Sequence, residues 1–386
     1  MQRRMIHKVV LLSSGWAELA ARSHYSFLQG SAAPADLVQA AAALEMPALG
    51  ICDRNGLYGA VEFTEAARAA GIHPVIGAEL DLVHGDRLRL LATGPEGYRN
   101  LSRAISAAQL AGEKGHPLLD LFDEGLEPEP ELLPAHRRYA PRPERNLEKP
   151  PERPASLRPT AGPFPTGWPG LPSTKQLPSG PPAHVDPADL HGCHVLAGGR
   201  ESAITDALLA GDVRLAERLL CRLRDAFGRD NVSLLLTHHL HPADAWLAAE
   251  TAELAANCGV TPLASNLPVH ATRGDKPLLD VLTAIRHRTT LDSAAAHGLL
   301  LANAEHRLKS HDELQSLLRD HPQAFENAAQ LAARCDVALD FSDVRFPGFP
   351  VPEGETPFSV LYKLCQESVP RKYQPITPVV AARLQR

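Results

Sequence analysis

From residue 33 onward the apolar positions switch between two periods. "PADLVQAAAALEM" repeats at helical spacing, "ALGIC" is a short apolar run of strand length, and "LYGAVEFTEAARAAG" is helical again. "PVIGAELDL" and "RLRLLAT" read as strands, and "GYRNLSRAISAAQLA" as a helix. After a long interruption the alternation resumes with "AITDALLAGDVRLAERLLCRLRDAFG", "NVSLLLTHH", "ADAWLAAETAELAANCG" and "TPLAS". Strands and helices alternating at this spacing predict parallel strands joined by crossover helices, and the number of units suits a βα barrel.

The interruption is proline. Residues 128–187 hold 17 of the 34 prolines, in runs such as "EPEPELLP" and "RPERNLEKPPERP". A residue without an amide donor and with a fixed φ, recurring every few positions, stops regular structure from propagating. The segment therefore reads as a disordered, partly polyproline insertion, dividing residues 1–127 from 188–271. Beyond 271 the pattern is mostly helical: "DKPLLDVLTAIRHR", "HDELQSLLRDH" and "PQAFENAAQLAARCD" are amphipathic. The last stretch, "PITPVVAARLQR", looks like a helix just beginning.

Composition narrows the function classes. Hydrophobic residues at 44% and charged residues at 22% suit a globular core, and a net charge of −6 gives no global field to attract nucleic acid. The six cysteines are scattered without a CxxC, which argues against a disulfide framework or a zinc ribbon. The basic start carries only "VVLL" as an apolar run, too short for a secretory signal, and no run reaches membrane-spanning length. The expected location is cytoplasmic.

Candidate chemistry is sparse. "THHLHP" (His238, His239, His241) could pass for a metal tract but reads as structural or solvated. Arg286 and Arg288, and Arg371 with Lys372, form small basic clusters able to meet a DNA phosphate. "GPEGYRN" lacks the spacing and lysine of a P-loop. No nucleophile elbow and no base-stacking platform stands out.

Eight blocks, in order, carry a resemblance. They are "HYSFLQGSAAPADLVQAA", "ALGICDRNGLYGAVEFTEAARAAGI", "PVIGAELDL", "LLATGPEGYRNLSRAIS", "DVLTAIRHRTTLD", "NAEHRLKS", "ENAAQLAARCDVALDF" and "RFPGFPVPEGETP". Together they resemble the N-terminal part of the bacterial DNA polymerase III alpha family, most closely its error-prone branch. The resemblance implies a PHP domain, a distorted βα barrel, up to about residue 271. Residues 272–386 would then be the start of a polymerase core that stops before the catalytic palm residues.

Active PHP domains hold clustered divalent metals on His, Asp, Glu and Cys side chains, which offset the charge and lower the pKa of a bound water. The resemblance carries that ligand set onto Ala20 and Arg22, Gln29, Arg54, Arg87 and Gly199, none of which suits a metal. Ligand-type residues remain at Glu79 and His270, with Asp53 nearby, while Leu267 or Pro268 stands where an aspartate is expected. An arginine has no acceptor and does not deprotonate near neutrality. The expectation is a metal site replaced by ion pairs of these arginines with Asp53 and Glu79, with no cofactor unless the site still functions.

The second motif of the polymerase chemistry, paired acids on a strand, is also missing; Asp340 and Asp343 are the nearest spacing. The reading is a non-catalytic PHP scaffold acting in DNA replication or damage-linked synthesis, with DNA and the rest of a polymerase as partners. The alternative is a stand-alone PHP phosphoesterase or 3′–5′ exonuclease. A third possibility is an interaction module that docks through the proline segment.

Overall fold

The computed structural model describes residues 16–83, 86–113, 115–122, 181–339, 348 and 350–384. Seven strands form one sheet in the order β1-β2-β3-β4-β7-β8-β9. They are β1 (Ala17–Ala21), β2 (Ala48–Arg54), β3 (His73–Asp81), β4 (Arg87–Ala92), β7 (Cys193–Gly198), β8 (Val232–Leu236) and β9 (Thr261–Ala264). Two further short strands, β5 (Leu119–Asp120) and β6 (Ala183–His184), pair in parallel. β6 lies in the last residues of the predicted insertion; the rest of that insertion, up to residue 180, lies outside the described residues, as do Asp340 and Asp343.

Helices α1 (Pro34–Ala43), α2 (Ala60–Ala69), α3 (Pro95–Ala111), α4 (Ala203–Ala210), α5 (Val213–Phe227) and α6 (Asp244–Cys258) lie among the strands in sequence. They are followed by α7 (Lys276–Arg286), α8 (Leu291–Ala296), α9 (His311–Leu317) and α10 (Gln323–Arg334). The resumed helical pattern at 203–227 is two helices, because Gly211 takes a left-handed conformation (φ 83°) and Asp212 caps α5 through its side chain.

Two features depart from the pattern-based expectation. The sheet opens one strand earlier, at Ala17, on residues whose apolar run is too short to declare itself. β4 is antiparallel to both neighbours, β3 and β7, whereas the remaining pairs are parallel. Only residues 82–86 join β3 to β4, too few for the crossover that parallel pairing requires.

The sheet curls until its end strands nearly meet. Glu18, fully buried on β1, spans the remaining gap: it accepts hydrogen bonds from the Ser265 hydroxyl and the Asn266 amide, each at 2.7 Å, and from the Ala20 amide at 3.0 Å. Arg22 N donates to Pro268 O at 2.8 Å along the same seam. One buried cluster joins β1, β2 and β9 to α1 and α10 through Trp16, Leu49, Leu263, Phe325 and Leu331. The other fills the space between β3, β4, β7, β8 and helices α3 to α6. The result is a nearly closed, distorted βα barrel of the PHP type.

Chain contacts divide the protein into two compact units, residues 1–339 and 340–386. Within the second, the described elements are α11 (Pro357–Lys372), which begins on a capping box between Thr356 and Ser359, and α12 (Pro378–Leu384). Among the described residues no helix is long and apolar enough to cross a membrane.

Candidate functional site

The C-terminal ends of the parallel strands carry the charged residues, as barrels of this class require of a site. The antiparallel β4 contributes to that end with its first residues. In the β3–β4 register Glu79 stands opposite Arg89 and Asp81 opposite Arg87, and in the β2–β3 register Arg54 stands beside Glu79. Strand pairing therefore sets acids and arginines side by side before any side chain is placed.

Glu79 is the centre of the arrangement and is fully buried. Its Oε1 accepts from Arg22 Nη2 at 2.8 Å, Arg89 Nη2 lies 2.7 Å from Oε2, and Arg87 Nη1 is 3.9 Å from Oε1. Burial alone would raise this carboxyl, but the guanidiniums of Arg22, Arg89 and Arg87 outweigh it and hold it down at about 2. Arg22 is raised in turn: burial opposes its charge, and Glu79 and Glu201 more than compensate.

A more open rim surrounds this core. Arg54 binds both oxygens of Asp81, at 2.9 and 2.8 Å through Nε, and donates to Gln29 Oε1 at 2.7 Å. Arg87 reaches Asp81 at 3.3 Å and pairs closely with Glu201, which also lies 3.8 Å from Arg22. Asn55 Nδ2 donates to Asp81 at 2.6 Å.

Asp53 is engaged differently from the sequence-based expectation. Among the described residues no arginine pairs with it; it accepts from Ser23 N (2.8 Å), Ser23 Oγ (2.7 Å) and Ser26 Oγ (2.7 Å). Burial raises its carboxyl, and these three bonds pull against the rise. The reason is local: the loop after β1 folds back over the end of β2, and its serines reach the carboxylate before any guanidinium does. Arg54, the next residue on the strand, turns outward to Asp81 instead.

Each remaining position named from the sequence has a definite place. Ala20 is buried within β1. Gly199 has φ 88°, and a Cβ built there would lie 2.6 Å from Leu267 Cδ1 and 3.4 Å from Arg89 Nη1. Leu267 itself has a positive φ of 45°, and Pro268 offers its carbonyl to Arg22. The space of a side chain at 199 is thus taken up by Leu267 and Arg89.

His270 is buried but turned to other partners. Its Nδ1 meets Thr272 O at 2.8 Å, and its Nε2 has no hydrogen-bond partner among the described residues. Burial lowers it, and the charges around it are those of Asp275, Lys276 and Arg307. No hydrogen bond or ion pair joins it to Glu79 or Asp53 among the described residues.

His238 and His239 are buried, and His238 Nδ1 lies 3.9 Å from Asp244 Oδ2. His239 is fully buried, stacked on His306 at 3.6 Å between ring centroids, with Nε2 2.7 Å from Asn266 O. Lys309, equally buried, ties the region together through Asn266 Oδ1 at 3.1 Å and Glu305 Oε2 at 3.2 Å. His241 donates its amide to Asp244 at 3.0 Å.

Arg286, at the end of α7, is half-buried and within hydrogen-bond distance of His287 (3.0 Å), with no carboxylate paired to it among the described residues. Burial lowers its pKa, and Arg54, Arg87 and Arg22 act in the same direction while Glu201 opposes them. Arg288 is exposed, with φ 51°. In the second unit Arg371 and Lys372 are exposed at the end of α11.

Sequence reading missed Arg89, Asp81 and Glu201. The first two carried a signal: "RLRLL" puts Arg87 and Arg89 on one face of a strand, and Glu79 and Asp81 likewise share a face. Glu201 lies in the loop after β7, where no periodicity points to it.

This donor set does not suit a divalent ion. Among the described residues no group of three or more His, Cys, Asp or Glu side chains is arranged to hold one. The carboxylate that could anchor a metal is enclosed by cations.

The PHP domain family matches residues 18–136. An error-prone DNA polymerase of Mycobacterium tuberculosis (strain ATCC 25618 / H37Rv) is 35% identical over 374 residues, covering 94% of this chain and 28% of that protein. One from Symbiobacterium thermophilum is 30% identical over 371 residues, covering 96% of this chain and 30% of that protein. Among solved structures, an amidohydrolase from Chromobacterium violaceum superposes with a TM-score of 0.35 at 16% identity, over 66% of this chain and 87% of that one, a likeness too loose to bear on function. The chain spans under a third of the length of these polymerases. It carries a PHP domain and is related, over nearly all of its own length, to the error-prone DNA polymerases.

Proposed function

We propose that this chain serves as a non-catalytic PHP scaffold of an error-prone DNA polymerase, in DNA replication or damage-linked synthesis, and that its PHP cavity neither holds metal nor hydrolyses phosphoesters. The observation that carries the proposal is the pairing of Glu79 with both Arg22 and Arg89 in a buried setting. A hydrolytic site needs that carboxylate free to face a metal and a water whose pKa the metal lowers. Here the same charge neutralises two guanidiniums, and restoring a ligand at 199 would meet Leu267 and Arg89. Arg286, Arg288, Arg371 and Lys372 are the candidate contacts for DNA phosphates, each a cation without need of base recognition.

The alternative, a PHP phosphoesterase or 3′–5′ exonuclease, requires the ligands that positions 20, 22, 29 and 54 do not supply. The test is elemental analysis of the purified chain after dialysis against manganese or zinc, with hydrolysis of a phosphomonoester and of a DNA 3′ end assayed alongside. The expected result is substoichiometric metal and no metal-dependent turnover. Stoichiometric metal with turnover abolished by Glu79→Gln would overturn the proposal.

A further inference from the structure

We propose that Cys221 and Cys258 form a dithiol that a peroxide oxidises to a disulfide, locking α5 to the end of α6. Cys221 lies on the half-buried flank of α5, and Cys258 is the last residue of α6. The two helices pack together, and Cys221 lies against the buried cluster that contains Cys258. Cys258 Sγ is 4.0 Å from the carbonyl oxygen of Glu217. In an α-helix that carbonyl is the one the Cys221 amide points to, so the Cys258 sulfur reaches the turn of α5 that Cys221 closes. Cys221 stands near enough to Cys258 to raise the latter's thiol.

The backbone around Cys258 is fastened to α5 and the turn after it. Arg224 Nη1, on α5, donates to Cys258 O at 2.9 Å. Arg229 Nε donates to Gly259 O at 2.8 Å, and Gly259 ends α6 in the left-handed conformation (φ 65°). The sulfurs are therefore held near one another by bonds that do not involve them. Cys52 and Cys193, also buried, direct their thiols at the carbonyls of Leu19 (3.7 Å) and Gly97 (3.4 Å).

The roles of the two sulfurs differ. Burial pushes the Cys258 thiol up to about 12, with Cys221 adding to the rise, so it remains protonated near neutrality. Cys221 is the one that solvent reaches. Its thiolate attacks a peroxide oxygen, the O–O bond breaks, and the departing hydroxide takes a proton to become water. The Cys258 sulfur then attacks the sulfenic sulfur, the S–O bond breaks, and the hydroxyl leaves as water with the Cys258 proton. With hydrogen peroxide the sum is two thiols and one peroxide giving one disulfide and two waters, two electrons passing from sulfur to oxygen. The bond would close a loop containing β8, whose C-terminal end leads to His238 and His239.

The test treats the full folded chain with a small molar excess of hydrogen peroxide, alkylates free thiols in denaturant, and maps peptides without reduction. The expected product is a linked pair joining the Cys221 and Cys258 peptides, released by dithiothreitol, with free thiols falling from six to four, two per disulfide. In Cys221→Ser the linked pair should vanish and Cys258 should be found alkylated. Recovery of both thiols alkylated after treatment, of Cys221 as sulfinic or sulfonic acid beside an intact Cys258, or of Cys221 linked elsewhere would each overturn the proposal. So would linkage that forms as readily when the chain is oxidised unfolded.

Discussion

Taking the carboxylate from Glu79 leaves Arg22 and Arg89 buried together with no shared partner, and like charges confined out of water repel. Glu79→Ala is therefore expected to destabilise the chain by about 3–5 kcal/mol, the usual cost of breaking a buried pair from one side. Asp81→Ala is the informative comparison, because Asp81 and Arg54 remain 22% and 25% exposed. Water screens that pair, and its loss should cost only about 0–1 kcal/mol for each ion pair removed. Denaturant unfolding of the two variants decides the matter; equal losses would mean that burial does not organise the network. At this scale the sequence was half legible. Arginines at 22, 54 and 87, where the resemblance implies metal ligands, announced ion pairing, but Asp53 took serines as its partners. Which acid an arginine meets depends on side chains brought in by other loops, and spacing along one strand does not contain that.

Helix placement is set by close backbone approaches as much as by apolar faces. Gly97, in the first turn of α3, faces the loop before β7, and a Cβ there would stand 1.8 Å from Gly192 O. Gly97→Ala should shift α3 away from that loop and cost about 1–3 kcal/mol, the range for overpacking a close-fitted site. Gly94→Ala, at the N-cap of the same helix, meets nothing within 4 Å and serves as the control. Thermal melts of the pair would reveal the effect; equal midpoints would refute the close fit. The helical periods of α1, α3 and α10 were readable because each buries one continuous face; α7 and α9 were readable from spacing alone, since among their residues only Leu279, Ala284 and Leu314 are buried. β1 was not, since five buried residues with a glutamate among them match neither an alternating nor a long apolar run. Glu18 is buried there because the seam between β1 and β9 supplies three donors to it.

For the whole molecule, pH is the natural probe of the buried network. Burial holds His239 at about 4 and His194, aided by the charge of Arg334, at about 3, while burial and neighbouring imidazoles hold His306 well below its ordinary range. In the unfolded chain such groups bind protons near pH 6.5. Stability is thus fully present above about 6.5 and declines as the pH falls toward 4, because only the unfolded chain gains those protons. Glu79 prolongs the decline: its contribution is complete above its ordinary value of about 4.3 and is lost as the pH falls through about 2. Glu18 and Asp53, both raised by burial, act in the opposite sense. The melting midpoint should fall steadily from pH 7 to pH 4, and His239→Gln should flatten the slope; a midpoint independent of pH over that range would contradict the neutral, buried imidazoles.

The alternation of strands and helices after the first strand, the proline-rich composition of 128–187 and the arginines at 22, 54 and 87 were legible in the sequence alone, because each is written in local periodicity or in residue type at a fixed place. The antiparallel β4 that sets Arg89 against Glu79, the seam closed by Glu18, the entry of Glu201 and the meeting of Cys221 with Cys258 were decided only in the tertiary structure. Each depends on a register or a contact between segments far apart in the chain, and such pairing is an outcome of packing the whole barrel.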